Sequence, residues 1–321
     1  MPDTLERPST VPGGQGAASA EFLTSAPAAP RSSLRHRLAD RGVEPSLLLV
    51  APALVFVLVL FIYPFLYGVG LSFQPASGGI GLESYRDFFT DPYEFGTIWK
   101  TMRLALPAAL FNVIASIPIA YKLRGRFKGK RLLATMLVVP ISLGTVLVAE
   151  GLLNFAGRAG WINRFLLAIG VIDTPIALVN NYWGVLFSLI ITGFPFAFLL
   201  ISSYLSGIDP SLERAAALMG AGWGKRFTKI ILPLLAPGLA TTFMLTFVLA
   251  FSVFPSATLV GDPAGATRVI SLAAYQAYAE QFNYSKASAI AIVMGVVELA
   301  VLAVVMLWRS TLYRGSTGGK G

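Results

Sequence analysis

The chain has 321 residues and a mass of 34.3 kDa, is 55% hydrophobic and only 13% charged, and has a formal net charge of +9 and a mean hydropathy of +0.69. Because soluble domains have about a quarter of their residues charged, this composition excludes a water-soluble globule, and its hydrophobicity excludes disorder along the whole chain. The lack of cysteine excludes disulfides and thiolate metal sites, and the single histidine, His36, argues against zinc enzymes and Ser-His-Asp hydrolases. The remaining class is an all-α polytopic membrane protein.

The first 45 residues are predicted to be a flexible cytoplasmic tail. They are rich in Pro, Ala, Ser and Gly, and they lack the apolar periodicity that packing requires. The first apolar run starts near Ser46, and it is too long and too far from the N-terminus for a signal peptide. We therefore interpret this run as an uncleaved membrane anchor.

Six apolar stretches have about the 20 residues that are needed to cross a hydrocarbon core of about 30 Å. They cover residues 46–70, 101–121, 132–155, 183–206, 234–256 and 287–308. The sequence thus predicts a six-helix transmembrane domain over 46–308, with a long loop at 207–233, followed by a cytoplasmic C-terminal tail at 309–321. An even number of spans places both termini on the same side of the membrane.

The distribution of Lys and Arg predicts which side faces the cytoplasm. Eighteen of the 25 basic residues lie in the tails and in the loops on the side of the termini, and seven lie on the opposite side. Because positive charge is retained on the cytoplasmic side during insertion, both termini are predicted to be cytoplasmic. The basic run at 122–131 is interpreted as a topology signal, so membrane lipid is an expected partner and nucleic acid is not.

The loop at 207–233 contains the signals of a short helix. Asp209 can cap the first turn, Pro210 suits the first helical position, and Gly220 suits the left-handed residue that ends a helix. Between them, four apolar residues fall on one face at i, i+3, i+4 and i+7, namely Leu212, Ala215, Ala216 and Met219. The periodicity leaves two alternatives open: this face packs on the inner ends of the spans, or it docks into a groove of a separate protein.

The same loop carries a spaced motif. Ala215-Ala216 is followed by Gly220 four residues later, by Ile230 ten residues further on, and by Leu232-Pro233. This pattern, in the loop after the fourth span, resembles the EAA loop of permease subunits of binding-protein-dependent ABC importers. The resemblance implies a type I ABC importer permease fold, in which this loop forms the coupling helix that fits a cleft on a cytosolic ATPase. The residues that the resemblance assigns to coupling are Leu212, Glu213, Arg214, Ala215, Ala216, Met219, Gly220, Ile230, Leu232 and Pro233.

The motif departs from the family at one position. The family has a glutamate directly before the two alanines, whereas this chain has Arg214 there and Glu213 one residue earlier. One helical step turns a side chain by about 100°, so Glu213 can face a different direction from the family's glutamate. We therefore do not assign to Glu213 the family's salt bridge with the ATPase.

The resemblance covers residues 46–308. Tyr63-Pro64 and segment 82–89 resemble the opening of such permeases, and segments 267–275 and 284–289 resemble the polyamine-type branch more than the sugar branch. This implies a multi-pass permease of the bacterial plasma (inner) membrane that works with ABC ATPase subunits, a second permease subunit and an extracytoplasmic solute-binding protein. The chain has no GxxxxGK[ST] phosphate loop, so it is expected to bind no cofactor itself, and ATP with Mg²⁺ is expected on the partner ATPase.

Two acidic residues lie inside predicted spans, Glu150 near the outer end of the third and Glu298 near the middle of the sixth. Because an ionisable group in the bilayer is costly unless it is paired or faces a cavity, Glu298 is a candidate lining residue for a cationic solute. The alternative is a protonated or hydrogen-bonded glutamate that holds helices together. Thr192 and Thr246 are further pathway candidates, although such hydroxyls also serve as ordinary contacts between helices.

The sequence therefore predicts a transport subunit and not an enzyme: a permease of an ATP-driven importer for a small solute. A polyamine-like solute is the first expectation, and a sugar or another small solute is the alternative. A stand-alone secondary transporter would show an inverted repeat, which the sequence does not show convincingly. A membrane-embedded enzyme would need paired acids, His or Cys, which are scarce here.

Overall fold

A computed structural model of the chain describes residues 45–74, 78–125 and 129–313. The predicted N-terminal tail, apart from its last residue, and the last eight residues of the predicted C-terminal tail lie outside these ranges. Within the described ranges no β-strand occurs, in agreement with the predicted all-α class. The contacts divide the chain into two units, Met1–Ile62 and Tyr63–Gly321.

The first unit contains helix α1, Pro45–Val57, and a π-helical segment, Leu58–Ile62. The helices of the second unit are α2 (Tyr63–Ser72), α3 (Glu83–Thr90), α4 (Pro92–Arg124), α5 (Lys130–Ala156), α6 (Trp161–Ala168), α7 (Tyr182–Ser206), α8 (Pro210–Leu218), α9 (Trp223–Arg226), α10 (Leu232–Phe251), α11 (Pro255–Leu259), α12 (Ile270–Tyr275) and α13 (Tyr284–Tyr313). Two further π-helical segments follow α9 and α12, at Phe227–Ile231 and Gln276–Glu280.

Six helical stretches in the described ranges are long and apolar enough to cross a membrane, which confirms the number of spans that the sequence predicts. They are Pro52–Ser72, Pro92–Arg124, Arg131–Ala168, Tyr182–Ser206, Trp223–Phe251 and Tyr284–Ser310. The last helix, α13, continues to Tyr313, past the predicted end of the span at residue 308.

The helices of two spans differ clearly in their bounds from the predicted apolar stretches. The second span begins at Pro92 and not at residue 101, because the Asp91 carboxylate accepts the Tyr93 amide at 2.8 Å and Pro92 occupies the first helical position. The fifth span was predicted at 234–256. Its helix already begins at Trp223, since the π-helical segment joins α9 to α10, and it ends at Phe251 before the separate helix α11.

Prolines and one glycine interrupt the long helices. The π-helical segment Phe227–Ile231 ends two residues before Pro233, and Leu58–Ile62 ends two residues before Pro64. Proline has no N–H and its ring displaces the carbonyl one turn earlier, so a widened turn is a physical consequence of these positions. In α5, Gly144 has φ +71° and ψ +171°, a non-helical conformation that bends the helix four residues after Pro140.

Two hydrophobic clusters form the core of the second unit. The cluster near α8 includes Leu123, Ile201, Leu205, Ile231 and Leu235. The cluster toward the opposite end of the bundle includes Phe88, Leu104, Phe247, Phe251, Ile270 and Ile290. Below, the two ends of the bundle are called the α8 end and the opposite end.

Helices α4 and α7 pack closely around a buried amide. The Asn112 side chain donates to the Leu189 carbonyl at 3.3 Å, and a Cβ at Gly193 would lie 2.4 Å from the Asn112 Nδ2 atom. The absence of a side chain at Gly193 therefore allows the two helices to approach each other at this point.

Candidate functional site

Helix α8 begins with the cap that the sequence predicts. The Asp209 carboxylate accepts a hydrogen bond from the Ser211 amide at 2.8 Å, and Pro210 occupies the first helical position. Hydrogen bonds from the Ser211 side chain and amide hold the pKa of Asp209 below its usual value.

The other end of α8 is closed by Gly220, also as predicted. Gly220 has φ +82°, a left-handed conformation that L side chains rarely adopt, and its amide donates to the Ala217 carbonyl. The next amide, of Ala221, donates back to the Ala216 carbonyl at 2.9 Å. This bonding satisfies the last carbonyls of the helix, so α8 is a short element with two defined ends.

The apolar face of α8 is divided between the bundle and solvent. Ala216 is 6% exposed, whereas Leu212 and Ala215 are exposed. Met219 is 83% exposed, and its neighbour Leu218 is 90% exposed. The apolar face of the helix thus packs on the bundle through Ala216 and leaves an apolar tip, Leu218 and Met219, exposed.

The carboxylate of Glu213 is bound by two side chains of α4. Its Oε1 atom accepts from Arg124 Nη1 at 2.7 Å, and its Oε2 atom accepts from the Tyr121 hydroxyl at 2.7 Å. Arg124 also donates through Nη2 to the Ile208 carbonyl, just before α8. These three side chains, Glu213, Arg124 and Tyr121, are called the Glu213 cluster below, and they fix α8 to the end of α4.

An aromatic group extends this contact to the residues after α8. The Trp223 and Phe227 rings stack with centroids 5.8 Å apart, and the Tyr121 ring meets both edge-on. The segment that follows α8 is therefore packed on the same turn of α4 that holds Glu213.

The remaining residues of the motif have different surroundings. Arg214 is exposed, Ile230 and Leu232 are half-buried, and Pro233 is exposed. The fully buried residue of this stretch is Ile231, which the motif does not single out. Sequence reasoning also missed Arg124 and Tyr121, because nothing in the sequence joins positions that lie about 90 residues before Glu213.

The four pathway candidates do not form one polar group in the described residues. Glu298 is half-buried, and its Oε1 atom is buried without a hydrogen-bond partner there, whereas Glu150 is exposed. Thr192 and Thr246 donate to carbonyls of their own helices, at 2.9 and 2.8 Å. The hydroxyl protons of both threonines are thus already used within a helix.

A buried charge network lies at the opposite end. Glu94, 5% exposed, binds Arg268 at 3.3 Å and Lys286 at 3.2 Å. Arg268 is 2% exposed, lies over the Tyr93 ring at 4.1 Å, and also donates to Gln276. This network joins α4 to the start of α13 and to the loop before α12. In the described residues no group of three or more His, Cys, Asp or Glu could hold a metal ion.

Comparison with known proteins identifies the family. Residues 110–315 match the family described as "Binding-protein-dependent transport system inner membrane component". The chain belongs to this family. Over 214 residues it is 32% identical to a probable sulfate transport system permease protein cysT of Prototheca wickerhamii, covering 66% of this chain and 82% of that one. Over 212 residues it is 31% identical to the spermidine/putrescine transport system permease protein PotB of Escherichia coli K12, covering 64% and 77%.

Solved structures of ABC importers share the fold. A bacterial ABC transporter involved in the import of the acidic polysaccharide alginate matches with a TM-score of 0.74 and 21% identity, covering 86% of this chain and 99% of that one. The MetNI methionine ABC transporter matches with a TM-score of 0.55 and 16% identity, covering 68% and 96%. These matches confirm the predicted ABC importer permease fold.

The chain is therefore a permease subunit of an ABC importer and a multi-pass membrane protein. It is a transport component and not an enzyme, and ATP hydrolysis belongs to a separate subunit. Importers of this family work with an ATPase and an extracytoplasmic binding protein. These findings favour the importer over the two rival interpretations, a stand-alone secondary transporter and a membrane-embedded enzyme.

Proposed function

We propose that this chain imports a small charged solute by coupling α8 to a cytosolic ATPase that binds ATP with Mg²⁺. It does so together with a second permease subunit, and both receive the solute from an extracytoplasmic binding protein. The observation that carries this proposal is the structure of α8, which has two defined ends and an exposed apolar tip and is fixed to α4 by Glu213.

The tip of α8 has the features of a docked helix. Leu218 and Met219 present apolar surface that a groove on the ATPase can remove from water, which is the helix-in-groove mode of recognition. Burial of such a side chain contributes about 1.5–3 kcal/mol. The exposed Arg214 beside them is the charged residue of α8 that is available to the partner, since Glu213 is bound to Arg124.

The Glu213 cluster gives a route from α8 into the membrane. When the ATPase moves α8, the bonds from Glu213 to Tyr121 and Arg124 carry this displacement to the end of α4. Helix α4 packs on α7 around Asn112, so the movement reaches the core of the bundle. We infer that the paired permeases change in this way between inward-open and outward-open states.

The α8 end is proposed to be cytoplasmic, together with both termini. This orientation is supported by the excess of Lys and Arg in the loops and tails on that side. Under it, α8 faces the ATPase, and the opposite end faces the binding protein.

The first candidate solute is polyamine-like. Glu298 supports this choice because its carboxylate lies in the last span with one oxygen unpartnered in the described residues. The relative PotB is named for spermidine and putrescine. The second candidate is a small oxyanion, which the relative named for sulfate favours.

The docking proposal is tested by co-purification in mild detergent with mass spectrometry. The wild type is expected to recover an ABC ATPase, and a double variant, Leu218→Glu with Met219→Glu, is expected to lose it. Ile80→Glu is the matched control, since Ile80 is a 91% exposed apolar residue at the opposite end. Equal recovery of the ATPase with the wild type and the double variant would refute docking through the tip.

The solute proposal is tested by uptake of labelled spermidine and labelled sulfate into cells that express the complete importer. Glu298→Gln is expected to lower spermidine uptake while the complex still assembles. Unchanged spermidine uptake would remove Glu298 from the pathway, and uptake of sulfate alone would replace the first candidate by the second.

A further inference from the structure

A polar concavity of about 560 Å³ lies at the opposite end of the bundle, beside the end of α5 and the start of α6. Two arginines, Arg158 and Arg164, and two asparagines, Asn154 and Asn180, contribute to its lining. Among the described residues, no acidic side chain contributes to this lining. The concavity therefore has positive charge and hydrogen-bond donors but no counter-charge of its own.

The two arginines have no partner in the part of the chain that the structure describes. Neither guanidinium forms an ion pair or a hydrogen bond there, and both side chains are exposed. Two like charges that line one concavity repel each other, and an anion between them relieves this repulsion. A guanidinium offers its donors in a planar fork that matches the two oxygens of a carboxylate, sulfate or phosphate group.

The backbone around the concavity is held in place by buried bonds. The fully buried Asn163 donates to the carbonyls of Gly157 and Ile176 at 2.9 and 3.0 Å, and it accepts the Ile176 amide at 2.8 Å. On the far side, Asn180 has φ +62°, and its amide donates to the Val260 carbonyl at 2.8 Å. A site whose shape is fixed before binding loses less entropy when a ligand arrives.

The position of Arg164 adds to the positive potential. Arg164 lies just after the first turn of α6, and the unpaired amides at a helix N-terminus carry partial positive charge. The helix start and the two guanidinium groups are separate observations that favour an anionic ligand, and the bonds of Asn163 hold the backbone around the concavity in place.

We propose that Arg158 and Arg164 form a binding site for an oxyanion group, which is a sulfate, phosphate or carboxylate. Such a group has two sources at this end of the bundle: a free anionic solute, or an acidic side chain of a protein that docks there. The site is distinct from α8 and from the buried network around Glu94. Anion binding at this site does not depend on coupling to the ATPase. A negative result for the site therefore leaves the proposed function unaffected, and the reverse also holds.

The test uses the full-length permease in nanodiscs of zwitterionic lipid, without ATPase. One arm titrates sodium sulfate and follows the thermal unfolding temperature, and the other titrates fluorescent hexaglutamate and follows anisotropy. At least one probe is expected to bind, with about tenfold lower affinity for Arg158→Gln and for Arg164→Gln. The control Arg86→Gln changes an exposed arginine outside the concavity and is expected to leave binding unchanged.

The two arms distinguish the sources. Binding of sulfate, alone or together with hexaglutamate, assigns the site to a free anion, and binding of hexaglutamate alone assigns it to a protein carboxylate. The variants Arg158→Lys and Arg164→Lys keep the positive charge. Probe binding that they retain shows that the loss of binding in the Gln variants comes from the missing charge and not from misfolding. The site is refuted if neither probe binds to the wild type, or if the Arg158→Gln, Arg164→Gln double variant binds as the wild type does.

Discussion

The contact between Arg124 and Glu213 gives the sharpest prediction about how α8 is held. We consider Arg124→Gln, Glu213→Gln and the double variant, which replace charged groups by amides of similar size. Each single change leaves one charged side chain without its oppositely charged partner, while Tyr121 can still donate to the group at position 213. The double variant removes both charges together.

The structure sets the size of the effect. Each side chain of the pair is 16% exposed, so water screens the contact in part. Charge-assisted hydrogen bonds contribute about 1.5–3 kcal/mol and exposed ion pairs about 0.2–1 kcal/mol, so a coupling energy of about 1–2 kcal/mol is expected. Because 1.4 kcal/mol is a factor of ten, local opening of α8 should become about 5–30 times more frequent in either single variant.

Hydrogen exchange of the permease in nanodiscs measures this opening directly. The amides of Met219, Gly220 and Ala221 bond within α8 and report its opening, and they are expected to lose protection in both single variants. The amides of Leu272 and Ala273, at the opposite end, serve as an internal control and should not change. In the complete importer, the same variants are expected to keep ATP hydrolysis but lose solute uptake.

A double-mutant cycle decides whether the two residues act as one contact. If they do, the double variant loses no more protection than either single variant. If the losses of the two single variants add in the double variant, Arg124 and Glu213 act independently, and the route from α8 into α4 is refuted.

Three further predictions concern other parts of the molecule. Glu94→Gln should lower the free energy of unfolding by about 3–5 kcal/mol, because two largely buried cations lose their counter-charge. Thermal unfolding measures this change. An equal decrease for Asp87→Asn, which alters an exposed carboxylate, would contradict the prediction. Gly193→Ala should cost about 1–3 kcal/mol in the same assay, because the new methyl group displaces the Asn112 amide, and truncation of Asn112 to Ala should recover much of this loss. Since the pKa of Asp209 is lowered in the folded protein, its cap stabilises α8 above the ordinary aspartate pKa of about 3.9 and is lost as the pH falls through the lower, folded value. The protection of the α8 amides from hydrogen exchange, corrected for intrinsic rates, should therefore stay constant between pH 8 and about pH 5 and fall at lower pH. Asp209→Asn should remove this fall in protection at low pH. A fall in protection between pH 7 and 5 would contradict the prediction.

Much of the α8 region could be predicted because its signals are local. Asp209, Pro210 and Gly220 specify the two ends of the helix through their own backbone preferences and near neighbours. The spans could be predicted for the same reason, since crossing a bilayer requires a continuous apolar run. The helix start at Pro92 shows the limit of this method, because residues 92–100 include Glu94 and Lys100 and so extend the helix without adding hydropathy.

The contacts that connect distant segments could not be predicted. Arg124 was interpreted only as part of a basic run that sets topology, and its bond to Glu213 depends on how α4 and the α8 loop meet in space. The ion pair between Glu94 and Arg268 joins residues that are even further apart in the chain. A single sequence contains no periodic or local signal for such pairs, because their geometry is set by tertiary packing.

The two ends of α4 are held by charged contacts of different exposure, and this has a consequence for the response to salt. The side chains of Glu94 and Arg268 are almost fully buried, whereas those of Arg124 and Glu213 are partly exposed to solvent. Dissolved ions screen solvent-reached charges far more than buried ones. A rise in ionic strength should therefore weaken the contact between Arg124 and Glu213, which holds α8 to α4, while the contact between Glu94 and Arg268 at the other end of α4 keeps its strength. Salt would then uncouple this importer well before it unfolds it.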